Sequence, residues 1–330
     1  MLILNCFIFI KSPDRKREVT FNYVTQIEVV TSTQNFTDTA KITVPRKLKY
    51  KGKSITEFIK RNDSVSISLG YGKEFSFETV FTGYIKSVST GTPIVIECEN
   101  EAWKLKQIKV PANYYPKLQI NDFVVEWMKG YVCKIAEVEL GEVRINEETT
   151  LGRVFEYFMQ NYPVKFYFKG GVFYGVLPGA MAVQNSDVKT IKFKIGENTI
   201  SDNLTYTLEE DVKLVIVAKC ITRDNKKLEY KTSANTDGAD VQTFLVPGAQ
   251  TEKELKAYAQ DKLKTSKIDK MTGDFICFGE PFVRKGDLVY LLDEDNKERH
   301  DKKFIADAVT YTFGQGGYRQ KITLGAQIHA

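Results

Sequence analysis

A chain of 330 residues exceeds the size at which a single core usually keeps growing, so two or three domains are expected. Hydrophobic residues make up 42% of it and aromatic residues 12%, enough for sizeable cores and typical of a strand-rich protein. The 47 Lys and Arg against 42 Asp and Glu leave a net charge of +5, too modest for a dedicated duplex binder, which argues against a sequence-specific nucleic-acid partner.

The opening Met1 to Ile10 is apolar like a signal peptide, but it lacks a basic leader and a small-residue cleavage site and is too short to span a bilayer. It reads as a buried first strand. No later segment reaches membrane length, so stable membrane insertion is not expected and folding in a cytoplasm is. Up to about residue 110 the pattern is strands separated by turns: Phe21 to Ser32, Phe36 to Val44 before Pro45, Asp63 to Tyr71, Thr79 to Ser89 and Pro93 to Glu99. Val65, Ile67 and Leu69 alternate with Ser64, Ser66 and Ser68, which is a strand with one wet face. Ser54 to Lys60 suits a helical turn, and the strands should close as a small barrel or sandwich around Ala102-Trp103-Lys104-Leu105. The basic run Lys11, Arg15, Lys16 and Arg17 and the later Arg46 to Lys53 read as hairpin surface charge, with the capacity to line an electropositive surface.

The character changes near Pro111 to Pro116. Ile120, Phe123, Val124, Trp127 and Met128 fall at helical spacing with Gly130 as a stop, and Thr149-Thr150 can cap a second helix carrying Leu151, Val154, Phe155 and Phe158. Lys169-Gly170-Gly171 is a strong turn signal between Val164 to Phe168 and Val172 to Leu177. Strands resume at Thr190 to Ile195, Leu204 to Leu208, Lys213 to Thr222, Lys227 to Thr232 and Thr243 to Val246. Among them Leu214 to Ala218 is the most continuously apolar run, so it should sit centrally with both faces covered. Thr251 and Glu254 form a capping box for a helix over about 252–265 with Leu255, Ala259 and Leu263 inward, and Pro247-Gly248 marks the loop before it. The last strands, Val289 to Leu292, Phe304 to Thr312 and Gly317 to Gly325, suit an antiparallel meander that closes a barrel. The predicted architecture is mainly β with an α+β insert: two small antiparallel β-barrel domains, 1–110 and 186–330, flank a helix-containing α+β domain at 111–185.

Chemistry is sparse. Cys6, Cys98, Cys133, Cys220 and Cys277 are odd in number, scattered and never in CxxC spacing, which favours a reducing compartment and small core residues over disulfides or zinc. The histidines are His300, in a charged turn where it should be solvated, and His329; neither suits a buried general base. The sequence holds no GxSxG elbow, P-loop, HExxH or EF-hand loop, and Gly314-Gln315-Gly316-Gly317 lies between strands and opens no helix. Catalytic, cofactor-binding and metal-ligating residues are therefore expected to be none. Carboxylates are the one catalytic option: Glu97, Glu99 and Glu101 share a strand face and should be an exposed polar row, while Glu209-Glu210-Asp211 reads as a turn.

Two regions carry a resemblance. In the first, Phe36 to Pro45, Ser68-Leu69-Gly70-Tyr71-Gly72, Val80 to Ile85, Ile96 to Glu99 and Trp103 to Lys106 follow in order; in the second, Phe278-Gly279-Glu280-Pro281, Lys285-Gly286-Asp287, Phe304 to Val309 and Gly317 to Gly325. In that order and spacing the chain resembles the hub proteins of contractile phage tails and related injection machines, the family of the late control protein and the central baseplate hub. The resemblance implies a homotrimer whose two barrels per subunit form a ring around a channel through which DNA passes, joining tail tube to central spike among other baseplate proteins. It implies a virion tail baseplate, reached by assembly in the bacterial host cytoplasm. Two other readings compete: a tail-associated cell-surface or carbohydrate-binding module, and a carboxylate-dependent cell-wall glycosidase, which would need two acids about 5–9 Å apart in a cleft.

Overall fold

The computed structural model describes residues 3–72, 77–162, 164–177, 189–208, 213–222, 226–246, 249, 251–266, 270–296 and 300–328. The runs Glu209 to Asp211 and Pro247-Gly248, and His329, lie outside these residues. No helix among the described residues is long and apolar enough to cross a membrane.

The first segment supplies β1 (Leu4–Lys11), β2 (Glu18–Phe21), β3 (Gln26–Ser32), β4 (Thr39–Val44), the two-residue β5 (Lys49–Tyr50) and β6 (Lys53–Ser54), β7 (Ser64–Tyr71), β8 (Glu78–Val88), β9 (Ile94–Glu99) and the short α1 (Ala102–Leu105). The alternation in β7 is realised: Val65, Ile67 and Leu69 are buried and face Ile10, Ile8 and Cys6 across the β1 pairing. A helical turn at Ile55–Glu57 stands where Ser54 to Lys60 predicted one.

The middle segment holds β10 (Lys109–Val110), β11 (Asn113–Gln119), α2 (Ile120–Trp127), β12 (Val132–Ile135), β13 (Glu139–Ile145), β14 (Thr149–Thr150), α3 (Leu151–Asn161), β15 (Lys165–Lys169) and β16 (Val172–Val176). Thr150 caps α3 by accepting the Arg153 backbone N–H at 3.4 Å. Gly130 takes φ +89° just past α2, a conformation cheap only for glycine, and so turns the chain there. Leu151, Val154, Phe155 and Phe158 of α3 pack with Ile120, Phe123 and Val124 of α2 and with Phe166 and Phe173 of the hairpin in a second core.

The last segment carries β17 (Thr190–Lys194), β18 (Thr199–Thr207), β19 (Leu214–Ile221), β20 (Lys227–Lys231), β21 (Asp240–Leu245), α4 (Glu252–Ser266), β22 (Lys270–Phe278), β23 (Leu288–Leu292), β24 (Lys302–Gly314) and β25 (Gly317–Ile328). The capping box forms as read: the Glu254 N–H donates to Thr251 Oγ1 at 3.3 Å and the Thr251 N–H to the Glu254 carboxylate at 3.2 Å. β19 is central between β20 and β21, with Val215, Ile216, Val217 and Ala218 all buried. Leu255 and Ala259 of α4 cover the Ile216, Ala218 and Cys220 face in a third small core, so this helix packs on its own three-stranded sheet rather than on a barrel.

The expectation of two closed barrels needs correction. The first and last segments join in one thirteen-stranded sheet of order β18-β22-β25-β24-β3-β4-β9-β8-β7-β1-β2, with β23 also paired to β24 and β17 parallel to β23. The seam is the antiparallel β3–β24 ladder from Gln26↔Gly314 to Ser32↔Ala308. β24 is 13 residues long and serves both β23 and β3, so backbone hydrogen bonds that a closed barrel would keep within each half cross between them instead. Ile8, Ile27, Ile67 and Ile96 of the first segment share one continuous core with Phe193, Phe275, Phe304 and Ile322 of the last.

Candidate functional site

The three glutamates do not form an exposed row. Glu97 is exposed and accepts the Ser87 hydroxyl at 2.8 Å, whereas Glu99 is buried and clamped by Lys86 at 2.7 Å and Lys106 at 2.8 Å. Glu101 lies past the end of β9, where it accepts the Tyr84 hydroxyl at 2.7 Å and pairs with Lys104 at 3.4 Å. Gly83 makes room for this corner, since a Cβ there would stand 2.2 Å from the Glu99 carbonyl oxygen. Burial pushes the Glu99 carboxyl up, but the hydrogen bonds and charges of Lys106 and Lys86 outweigh it and hold the group below its ordinary value of 4.5. A carboxylate so held cannot store a proton for general acid catalysis near neutral pH. Its role is to tie α1 and β8 to β9.

That role has a pH signature. Stability from a depressed carboxylate is fully present above its unfolded pKa and is lost as pH falls through the folded one. Glu99→Gln is therefore expected to cost about 1–3 kcal/mol at neutral pH, and the gap to the parent should shrink well below pH 4.5. Urea melts at neutral pH and near pH 3 check this; a gap that stays constant would show that the charge is irrelevant.

Other expected groups are also placed. His300 is half-buried in its turn rather than fully solvated, its backbone N–H donating to the Asn296 carbonyl at 3.1 Å. All five cysteines are free; four are buried, and burial pushes the Cys6 and Cys277 thiols up to about 12, where they are poor nucleophiles. Among the described residues no group of three or more His, Cys, Asp or Glu is placed to hold a metal. The basic hairpin splits. Arg17, read as surface charge, makes a two-pronged pair with the buried Asp63 at 2.7 and 2.8 Å, while Arg15 and Lys16 stay exposed.

A dense polar arrangement joins Asp38, Lys285 and Asp287, which carry the resemblance but were assigned no role from the sequence. Lys285, in the loop before β23, is buried, and its Nζ donates to both oxygens of buried Asp38 at 2.6 and 2.7 Å and to the Ser32 carbonyl at 3.1 Å. Asp38 also accepts the Ser32 N–H at 3.1 Å and the Asn100 amide at 2.9 Å. Two residues on, Asp287 accepts Lys169 from the middle segment at 2.7 Å and the Arg284 N–H at 2.8 Å. The Lys285 ammonium sits 5.3 Å from the Tyr167 ring. Burial pulls the Lys285 pKa down, opposed by the Asp38 charge. Lys285 and Asp287 thus link all three segments through the turn at Gly286, which has φ +76°. Local sequence does not mark it: the stretch between Val283 and Leu288 also holds Arg284, which stays exposed beside the buried Lys285 and Asp287. A cleft of about 400 Å³ opens beside this junction, lined by Phe81, Phe168, Phe282 and Tyr311 as well as the charged residues.

Nearby contacts extend the same linkage. The Tyr71 hydroxyl donates to the Tyr318 carbonyl at 2.7 Å and accepts the Gly279 N–H at 3.0 Å, and Arg284 pairs with Glu78 at 3.0 Å. Phe36, in the β3–β4 loop, leaves its own sheet and enters the second core, stacked on Phe155 at 5.7 Å and edge-on to Phe173 at 6.4 Å. Large apolar side chains remain at the surface, among them Phe7, Tyr23, Val125, Val132 and Phe278.

Comparison with known proteins bears on the fold. No family model matches the chain, and no curated protein matches it. Solved structures do. A tail protein from Neisseria meningitidis MC58 superposes with a TM-score of 0.66 at 13% identity, covering 97% of this chain and 96% of that one. The 43 kDa tail protein of prophage MuSo2 from Shewanella oneidensis gives 0.64 at 12%, covering 97% and 98%. An E. coli component of the type VI secretion system, described as structurally similar to the T4 bacteriophage tail proteins gp27 and gp5, gives 0.52 at 11%, covering 93% and 73%. The chain therefore has the fold of these tail and secretion proteins over 93–97% of its length.

Proposed function

We propose that this chain is a structural hub subunit of a contractile-tail baseplate or a related injection apparatus, a trimeric ring that joins the tail tube to the central spike. One observation carries the reading: the fold match with a prophage tail protein runs through 97% of the chain, so the whole architecture and not a single module is shared. The division 1–110, 111–185 and 186–330 belongs to the same proposal, with the middle unit held as a projection on a two-part ring body. The role is structural rather than catalytic, and the location is the baseplate of the particle, after assembly in the host cytoplasm. Exposed Phe7, Tyr23 and Phe278 on the first and last segments support intersubunit contact, since aromatic residues are enriched at interfaces. The clamped Glu99 weighs against the glycosidase reading.

Light scattering across a concentration series tests this. A species near three times 37.6 kDa, or a monomer that becomes trimeric when tube and spike proteins are added, is the expected result. A monomer at every concentration that co-purifies with neither partner overturns it.

A further inference from the structure

The basic hairpin between β1 and β2 is the sequence motif that the hub reading leaves without a role. The structure places it at the rim of a cleft of about 620 Å³, within the range of roughly 300–1,000 Å³ that ligand sites occupy. Lys11 and Arg15 come from the hairpin, Asn62 and Ser64 from the entry to β7, Tyr84 from β8, and Trp103 and Lys104 from α1. The cleft is built rather than incidental. The hairpin is a tight turn pinned by the Ser12 N–H on the Arg17 carbonyl at 2.9 Å and the Arg15 N–H on the Ser12 carbonyl at 2.9 Å. The Asn62 side-chain oxygen accepts the Trp103 indole N–H at 2.9 Å, and the Asn62 backbone N–H donates to the Ile85 carbonyl. Arg15 and Asn62 are two of the four non-glycine residues with left-handed backbone among the described residues, at φ +59° and +72°. Such positions persist only where the surroundings hold them.

Charge decides the occupant. Lys11 is matched by Glu18 at 2.5 Å and Lys104 by Glu101 at 3.4 Å. Arg15 has no ion pair among the described residues, and neither does Arg61, which precedes the lining Asn62 and whose guanidinium lies 5.0 Å from the ring of the lining Trp103. Two arginines are thus left without a carboxylate partner, beside the half-buried Tyr84, whose ring carries Lys104 at 4.3 Å, and the buried Trp103. Guanidinium groups recognise carboxylates through paired N–H donors.

We propose that this cleft docks a short acidic segment of a partner protein, with carboxylates on Arg15 and Arg61. The proposal goes beyond the hub reading and does not depend on it. The test uses the full chain and a fluorescein-labelled octapeptide rich in Asp and Glu, followed by anisotropy at low salt. Controls are the same peptide with Asn and Gln and a single-stranded oligonucleotide of equal length. Arg15→Glu is expected to weaken acidic-peptide binding about tenfold, and Lys16→Glu, on the same turn but not lining the cleft, less than about twofold. Both are exposed substitutions that leave the fold intact, which a melting curve checks. Equal binding of acidic and neutral peptides, equal loss in the two variants, or binding of the oligonucleotide alone would overturn the proposal.

Discussion

Replacing Lys285 with methionine should lower the free energy of unfolding by about 3–5 kcal/mol at neutral pH, a large share of the 5–15 kcal/mol typical of a folded protein. The reason is what it leaves behind. Asp38 keeps two neutral donors, the Ser32 N–H and the Asn100 amide, but loses the ammonium that contacts both of its oxygens in a buried setting. An unpaired buried carboxylate costs more than the pair was worth, because its desolvation is no longer offset. The double variant Lys285→Met with Asp38→Asn is therefore expected to be more stable than Lys285→Met alone, although it carries one more change. Urea unfolding of the two single variants and the double completes the cycle. If Lys285→Met cost less than about 1 kcal/mol, the pair could not be the link between segments that its geometry suggests.

Phe36→Ala should produce a comparable loss, about 3–5 kcal/mol, but a differently distributed one. The ring is 3% exposed and fills space between Phe155 and Phe173, so its removal leaves a cavity in the second core that helix α3 and the β15–β16 hairpin cannot collapse to fill. Its loop belongs to the main sheet, whose own core the ring never enters. Hydrogen exchange should accordingly rise most in α3, β15 and β16, while amides of β3 and β4 keep most of their protection. A uniform rise across both cores would mean that the two regions unfold as one unit and that Phe36 is not a local anchor.

What could be read from the sequence was what local periodicity encodes. Val65, Ile67 and Leu69 in β7, the Thr251 and Glu254 capping box and the Thr150 cap were all visible as patterns within a few residues. The two closed barrels were not found, because the β3–β24 ladder pairs strands almost a full chain length apart, and an internal edge and a shared edge have the same alternation. The same limit hid the polar junction. Asp38 and Lys285 are 247 residues apart, and nothing local distinguishes a buried charge that finds its partner from a solvated one. Glu99 was misread for that reason: spacing of two placed it beside Glu97, but Lys86 and Lys106 approach from other elements and make its side a covered one. Phe36 was taken for the start of a strand, whereas β4 begins at Thr39 and frees the ring to serve a different core.

The seam of the sheet also sets an order of events. Thr31 and Val309, joined by a hydrogen bond across it, are 278 residues apart. On a ribosome adding about 5–20 residues per second, β3 emerges on the order of tens of seconds before the strand that completes its far edge. Through that interval Ile27 and Val29 lack part of the core that later buries them, and an open strand edge is a template for pairing with another nascent chain. Polysomes making this protein thus hold several such edges close together. Soluble yield should depend on how fast synthesis runs and on holdase capacity far more than the stability of the finished sheet would suggest.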